Sequence, residues 1–341
     1  MVGIYAVAIG ASAADTFLES APSQSRNRWL DYQATVDLSS RAIYANSIGD
    51  VGGEFTAGLD AYGKISGATT DLATLYLQVY IGHTENHPLP PLAIYEGPDD
   101  WEVFPKIVAA NFHLRRDRRL NLKVGHFELP YGLEAVINSN GTMRQFSHGS
   151  NLGMKLDWGA TLNGTFPQFQ YEIGLSRGSG FEYHSKDNPY ALSGRIGTPV
   201  DSESFWGVSS AGISFFYGEI DRRGRPHEER WRVGIDGQHY LGPIGLLTEI
   251  SAGETESATT LNTLFEVNQS NRRETLLFYQ QFRYIRQQVP GTWDDYSALH
   301  VGIRYAPDTH WALSAQWRQD LWQLASNPVH EVFSLQLRYR F

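Results

Sequence analysis

Apolar and polar residues alternate one for one to the very end of the chain. From Glu331 to Phe341, the residues Phe333, Leu335, Leu337, Tyr339 and Phe341 share one face of an extended backbone. Val332, Ser334, Gln336, Arg338 and Arg340 share the other. A period of two is the period of a β-strand. A strand that is apolar on one face, polar on the other and aromatic at its last position suits the wall of a barrel set in a membrane. The edge strand of a soluble sandwich alternates in the same way, so the terminal segment alone does not choose between the two.

Recurrence makes the choice. The pattern returns over 34–45, 54–65, 71–82, 106–114, 120–127, 153–162, 169–177, 189–197, 210–218, 229–239, 244–253, 261–268, 273–286, 296–306, 311–320 and 330–341. That makes about sixteen strands of roughly 8–14 residues, enough to cross a hydrocarbon layer when tilted. The connections 66–70, 115–119, 163–168, 240–243, 269–272 and 307–310 are short and fall at one end. Those at 83–105, 128–152, 178–188, 219–228 and 321–329 are longer and fall at the other. The faint strand 261–268 is admitted because the alternation of ends requires it, and 198–209 is longer than its end predicts. A soluble sandwich has no reason to sort its loops by length. In lipid every backbone donor and acceptor is paired within the protein, and closing the sheet removes its edges. The expectation is therefore an all-β chain. It forms a transmembrane antiparallel barrel over 34–341, with short periplasmic turns, long extracellular loops and an interior too wide for side chains to fill.

Ahead of the barrel, an apolar run at 4–10 is followed by Ala11-Ser12-Ala13, the small-x-small form of a signal-peptidase site. Residues 1–13 are read as a truncated signal peptide and 14–33 as a flexible lead-in. No apolar stretch is long enough for a transmembrane helix.

Composition narrows the chemistry. The 341 residues include no cysteine, which excludes disulfides, thiolate catalysis, Cys-ligated metals and haem attachment through Cys-x-x-Cys-His. The mean hydropathy of −0.35 excludes a bundle of membrane helices. The 18 Tyr and 9 Trp suit a membrane–water boundary. A net charge of −9 argues against a nucleic-acid surface but leaves a lumen free to be basic. No nucleophile elbow, phosphate-binding loop or dinucleotide fingerprint is present. No catalytic residue, metal site or cofactor is expected. The acids Asp99, Asp100 and Glu102, and Glu228-Glu229, read as solvated loops, and Arg115, Arg116, Arg118 and Arg119 as a turn anchored in water.

The candidate pore-lining residues are Lys106, Lys123, Arg230, Arg232, Arg283, Arg304, Arg318 and Arg338. Basic groups facing one another across water lower the energy of an anion between them and raise that of a cation. Arginine adds a planar fork for phosphate or carboxylate. The other reading is that these cations pair with inward acids such as Asp60, Asp157, Glu172 and Glu249 and brace the wall. Both stand at this point.

The run Asn121-Leu-Lys-Val-Gly-His-Phe-Glu-Leu-Pro-Tyr-Gly-Leu-Glu134 resembles the phosphate-selective porins O and P and their broader relatives. Those proteins often end a strand on Lys-x-Gly-x-x-x-x-Pro-Phe/Tyr-Gly-x-Glu, matched here by Lys123, Gly125, Pro130, Tyr131, Gly132 and Glu134. The resemblance extends to Asp157-Trp158-Gly159, to 169–177 with Arg177-Gly178-Ser179-Gly180, and to the segment 242–249, spanning about 50–330. It implies a sixteen-stranded outer-membrane barrel in a Gram-negative bacterium, often trimeric, with an inward-folded loop at 128–152 and small anions or other hydrophilic solutes as its cargo. The phosphate-selective members crowd lysines and arginines at the constriction. This chain has five lysines in all, and 128–152 carries Arg144 alone, so strict phosphate selectivity is not expected. Some relatives instead sheathe a periplasmic multihaem cytochrome in an electron conduit. That is the alternative function, and it calls for a wide lumen with no constriction of its own.

Overall fold

Each strand hydrogen-bonds to the next along the chain, and the last returns to the first. In the computed structural model, which describes residues 29–46, 49–68, 70–85, 101–183, 188–199, 203–204, 207–221, 227–322 and 331–341, β1 (Leu30–Ala45) lies between β2 (Asp50–Ser66) and β17 (Glu331–Arg340). The closing register runs from Asp37 opposite Arg340 to Ala45 opposite Val332. Between them come β3 (Asp71–Glu85), β4 (Trp101–His113), β5 (Asn121–Glu128), β6 (Leu156–Thr165), β7 (Gln170–Ser176) and β8 (Ala191–Gly197). The two-residue β9 (Glu203–Ser204) pairs with the same neighbour as β8, namely β10 (Gly207–Ile220), and continues it. Then follow β11 (Glu228–Leu241), β12 (Ile244–Thr255), β13 (Ala258–Ser270), β14 (Leu276–Val289), β15 (Thr292–Tyr305) and β16 (Trp311–Trp322). With β8 and β9 taken as one, the barrel is closed, antiparallel and sixteen-stranded.

Each segment expected from alternation coincides with a strand to within about five residues, the faint 261–268 included as part of β13. Alternation divides the wall. Ile213, Val233, Ile235, Ile250, Phe265, Leu335 and Leu337 stand exposed on the outer face, while Asp236, Gln238, Glu249, Glu266, Gln281 and Gln336 are buried within. Residues 30–33, expected in the lead-in, belong to β1. Residues 1–28, and with them the signal-peptide expectation, lie outside the described residues, as do Asp99 and Asp100. The short connections fall at one end as expected. The opposite end is less uniform than its sequence suggests, because Glu256-Ser257 and Pro290-Gly291 form tight hairpins there between β12 and β13 and between β14 and β15.

One phase slip escapes the period-two pattern. Counting back by twos from His113 and Asn111 on β4 reaches Ile107, which would turn Lys106 to lipid. In the structure Gln78 pairs with Ile107 and Val79 with Pro105, so Lys106 is the extra residue of a β-bulge. Pro105 has no N–H to give the ladder. The bulge re-aims the next side chain, and Lys106 faces the interior, only 8% exposed.

Candidate functional site

The sequence between β5 and β6 does not bulge out into solvent. It folds into the barrel and is tied to strands all round the wall, as the resemblance implied for 128–152. The quoted motif explains how. Gly125 has φ +134°, and a Cβ there would meet Val108 O at 2.1 Å, so only glycine lets β4 and β5 approach this closely. Pro130 and Tyr131 are buried. The Tyr131 and Ser251 hydroxyls are hydrogen-bonded at 2.7 Å. Gly132 N donates to Ser214 Oγ at 2.9 Å and Leu133 N to Glu249 Oε2 at 2.8 Å. Gly132 has φ +57° and sits against the Glu249 carboxylate, where any side chain would collide. Leu133, Val136 and Ile137 pack on Leu247 and Leu264 of β12 and β13.

Beyond this the segment turns along the opposite wall. Asn140 Nδ2 donates to Tyr80 Oη (2.9 Å), and Arg338 donates to Asn140 O (2.9 Å). Gln316 Nε2 donates to Met143 O (2.8 Å). Arg144 pairs with Glu266 at 2.9 Å. Gln281 binds both backbone groups of Gln145, accepting from N (2.9 Å) and donating to O (3.0 Å). The short helix His148–Leu152 then presents Asn151, whose Nδ2 donates to Glu249 Oε1 at 2.8 Å and whose Oδ1 accepts from Asn262. Glu134 closes the circuit. It accepts His148 N (2.9 Å), takes Lys155 Nζ at 2.6 Å and lies 3.5 Å from His148 Nδ1. Burial alone would push the His148 imidazole down, but the Glu134 and Glu128 carboxylates more than offset this and hold it above its ordinary value. Lys155, expected on β6, precedes that strand and belongs to this loop.

A cavity of about 840 Å³ remains between the loop and the wall, open at one side and lined by Arg41, Lys106, Arg230, Arg232, Arg283 and Arg338 among others. The eight expected pore-lining residues divide into two groups. Lys123 pairs with Glu172 at 2.6 Å, Arg230 with Glu228 at 2.8 Å and Arg318 with Asp320 at 2.7 Å, and Arg338 Nε donates to Asp37 at 2.8 Å. These four are engaged with acids on the wall. Arg195 does the same with Asp236, Nε to Oδ2 at 3.0 Å. Among the described residues, Lys106, Arg232, Arg283 and Arg304 have no carboxylate at ion-pair distance. Arg232 donates instead to the Trp231 and Glu254 carbonyls and to Thr255 Oγ1, and Arg283 reaches only Ser150 Oγ at 3.5 Å. The acids facing them are engaged. Asp157 accepts from Gly178, Ser179 and Gly180 N, Glu249 holds the loop, and Glu266 takes Arg144, Gln281 and Asn268. Sequence reasoning missed Asp37, Glu266 and Asp236, whose partners Arg338, Arg144 and Arg195 lie far from them along the chain.

A loop laid across a closed sixteen-stranded barrel has counterparts among solved structures. OprB of Pseudomonas putida superposes with a TM-score of 0.68 at 11% identity, covering 91% of this chain and 94% of that one. The chain shares its fold with outer-membrane porins. An anion-selective porin from Comamonas acidovorans matches with a TM-score of 0.64 at 10% identity (92% and 100% covered). OmpT of Vibrio cholerae, in a trimer form, matches at 0.63 and 10% (92% and 100%). No family model matches the chain, and no curated protein does, so the resemblance to porins O and P rests on its motif.

Proposed function

We propose that the protein is a porin of the Gram-negative outer membrane, a non-catalytic channel that passes small hydrophilic solutes and mildly prefers anions. The observation that carries this is the asymmetry of the lumen. Among the described residues, Glu172, Glu266 and Asp320 are paired with cations and Glu249 is held by backbone and amide donors, while Lys106, Arg232, Arg283 and Arg304 have no carboxylate at ion-pair distance. Unbalanced positive charge in a narrow water-filled passage lowers the energy of an anion there. Strict phosphate selectivity is not part of the proposal, since these four cations are spread over β4, β11, β14 and β15 rather than gathered at one point.

The cytochrome sheath fares less well. The segment 129–155 is tied to β3, β10, β12, β13, β14, β16 and β17, so it takes up the space a threaded partner would need. A homotrimer is proposed by analogy with the trimer form of OmpT. Cross-linking of the purified barrel checks it.

The test is single-channel recording in a planar bilayer, with the reversal potential read under a salt gradient. Discrete steps with an anion-favouring reversal are expected. The triple substitution Lys106→Gln, Arg283→Gln and Arg304→Gln should abolish that preference while leaving conductance. A wild-type reversal potential at zero or cation-favouring would sink the anion preference, and no steps at all would sink the channel.

A further inference from the structure

One lobe of the cavity is unlike the rest of the lumen. Much of the cavity is lined by polar and charged side chains, with Phe146 and Tyr296 set among them, but beside Lys106 three rings stand in contact in a row. Tyr80 and Phe104 stack with centroids 6.0 Å apart, and Phe104 meets Phe181 edge-on at 5.9 Å. All three line the cavity together with Lys106, Ser139 and Asn140.

The arrangement is built rather than incidental. Lys106 is only 8% exposed, yet its ammonium has no hydrogen-bond or ion-pair partner among the described residues. It stands over the Tyr80 ring, 5.9 Å from the centroid. The bulge that turns it inward is held from below, where His126 Nδ1 donates to Lys106 O at 2.9 Å. The ring at the open edge is fixed as well. Trp158 Nε1 donates to Phe181 O at 3.2 Å, and the buried Asp157 carboxylate gathers the amides of Gly178, Ser179 and Gly180 just before it. His126 lies beneath Phe181 with ring centroids 5.4 Å apart. A channel for chloride-sized ions gains nothing from such a wall. A solute with a charged head and a flat apolar body gains at both ends, because a desolvated ammonium favours its carboxylate and a ring edge favours its ring.

We propose that this lobe is a binding site for aromatic carboxylates, with the carboxylate on Lys106 Nζ and the ring against Phe181. The physiological meaning rests on the channel reading, since it makes the lobe a station on the solute path. The binding itself does not require conduction. The test is therefore isothermal titration of the refolded full-length barrel in detergent with sodium benzoate, and with sodium acetate as the ringless control. Benzoate should bind about fivefold more tightly than acetate, the factor a ring contact supplies. Lys106→Gln should weaken both by about tenfold or more, as expected for losing a charged hydrogen bond. Phe181→Leu should remove the benzoate advantage and leave acetate unchanged, and it keeps the proposal testable if the lysine variant does not refold. Equal affinity for the two anions, or a Phe181→Leu effect shared equally by both, overturns the proposal. Binding by a barrel that passes no current would leave this site standing and remove the channel reading instead.

Discussion

The seam where β1 meets β17 and the cavity lining on β4 and β14 handle charge in opposite ways. At the seam, Arg338 and Arg340 from the last strand grip Asp37 on the first and Asp60 on the second, and the Tyr80 hydroxyl lies between the two carboxylates, 2.8 Å from Asp60 and 3.2 Å from Asp37. Charge there is turned into cross-strand geometry, and it fastens the two ends of a sheet whose closing strands are about 300 residues apart in sequence. At Lys106 and Arg283 the wall is already held by its ladder, and among the described residues these cations face the cavity with no carboxylate at ion-pair distance. The same residue type thus serves the fold where acids of distant strands converge and serves the lumen where they do not.

That contrast sets an order of effects. Asp37→Asn should be the most damaging change, because it removes the buried carboxylate that the half-buried Arg338 guanidinium pairs with. A loss of about 3 kcal/mol is expected, read as an earlier urea midpoint of the refolded barrel. Unchanged stability would mean that the seam ion pairs add nothing to closure. Next comes Glu249→Leu, which orphans Leu133 N and Asn151 Nδ2. A loss of about 2 kcal/mol at the loop should follow, seen as protease cleavage within 129–155 while the barrel itself persists. Smaller still is Lys106→Gln in the lumen. It should cut the anion-to-cation permeability ratio about twofold with no change in unfolding midpoint, and a shifted midpoint would put Lys106 with the seam residues.

The smallest effect is one of pH. The His148 imidazole is held above its ordinary value by Glu134 and Glu128 once its burial is overcome. Its contribution is therefore fully present below about pH 6.5 and is lost as pH rises through the raised folded value. The protection of amides 147–152 against exchange, corrected for the intrinsic pH dependence of exchange, should be greater at pH 5.5 than at pH 9 by a few-fold. His148→Gln should remove that difference, and a difference that survives it would point to another group.

The wall was legible because each strand carries its own evidence. Alternation is local, and the faint 261–268 could be placed because the alternation of loop ends required a strand there. The bulge at Lys106 was not, since a single extra residue leaves a one-position slip and Pro105 reads as the end of a loop. The loop was readable only as a resemblance. Its anchors, Glu249, Asn262, Glu266, Gln281 and Gln316, lie about 100 to 170 residues beyond the residues they hold. No periodicity relates groups so far apart. Nor does the pattern of a strand say which inward arginine will find an acid on its neighbour, so braces and free cations looked alike.

The loop that crosses the lumen also imposes an order on assembly. Nearly all its partners belong to strands made after it, from Ser214 on β10 to Arg338 on β17. Contacts of such long range cost loop-closure entropy before they return anything. The segment 129–155 therefore stays undocked while the wall is still open and settles only when the last strand meets the first. Refolding should show two phases, strand pairing and then docking, and the slower should vanish when Glu249 and Arg144 are replaced together.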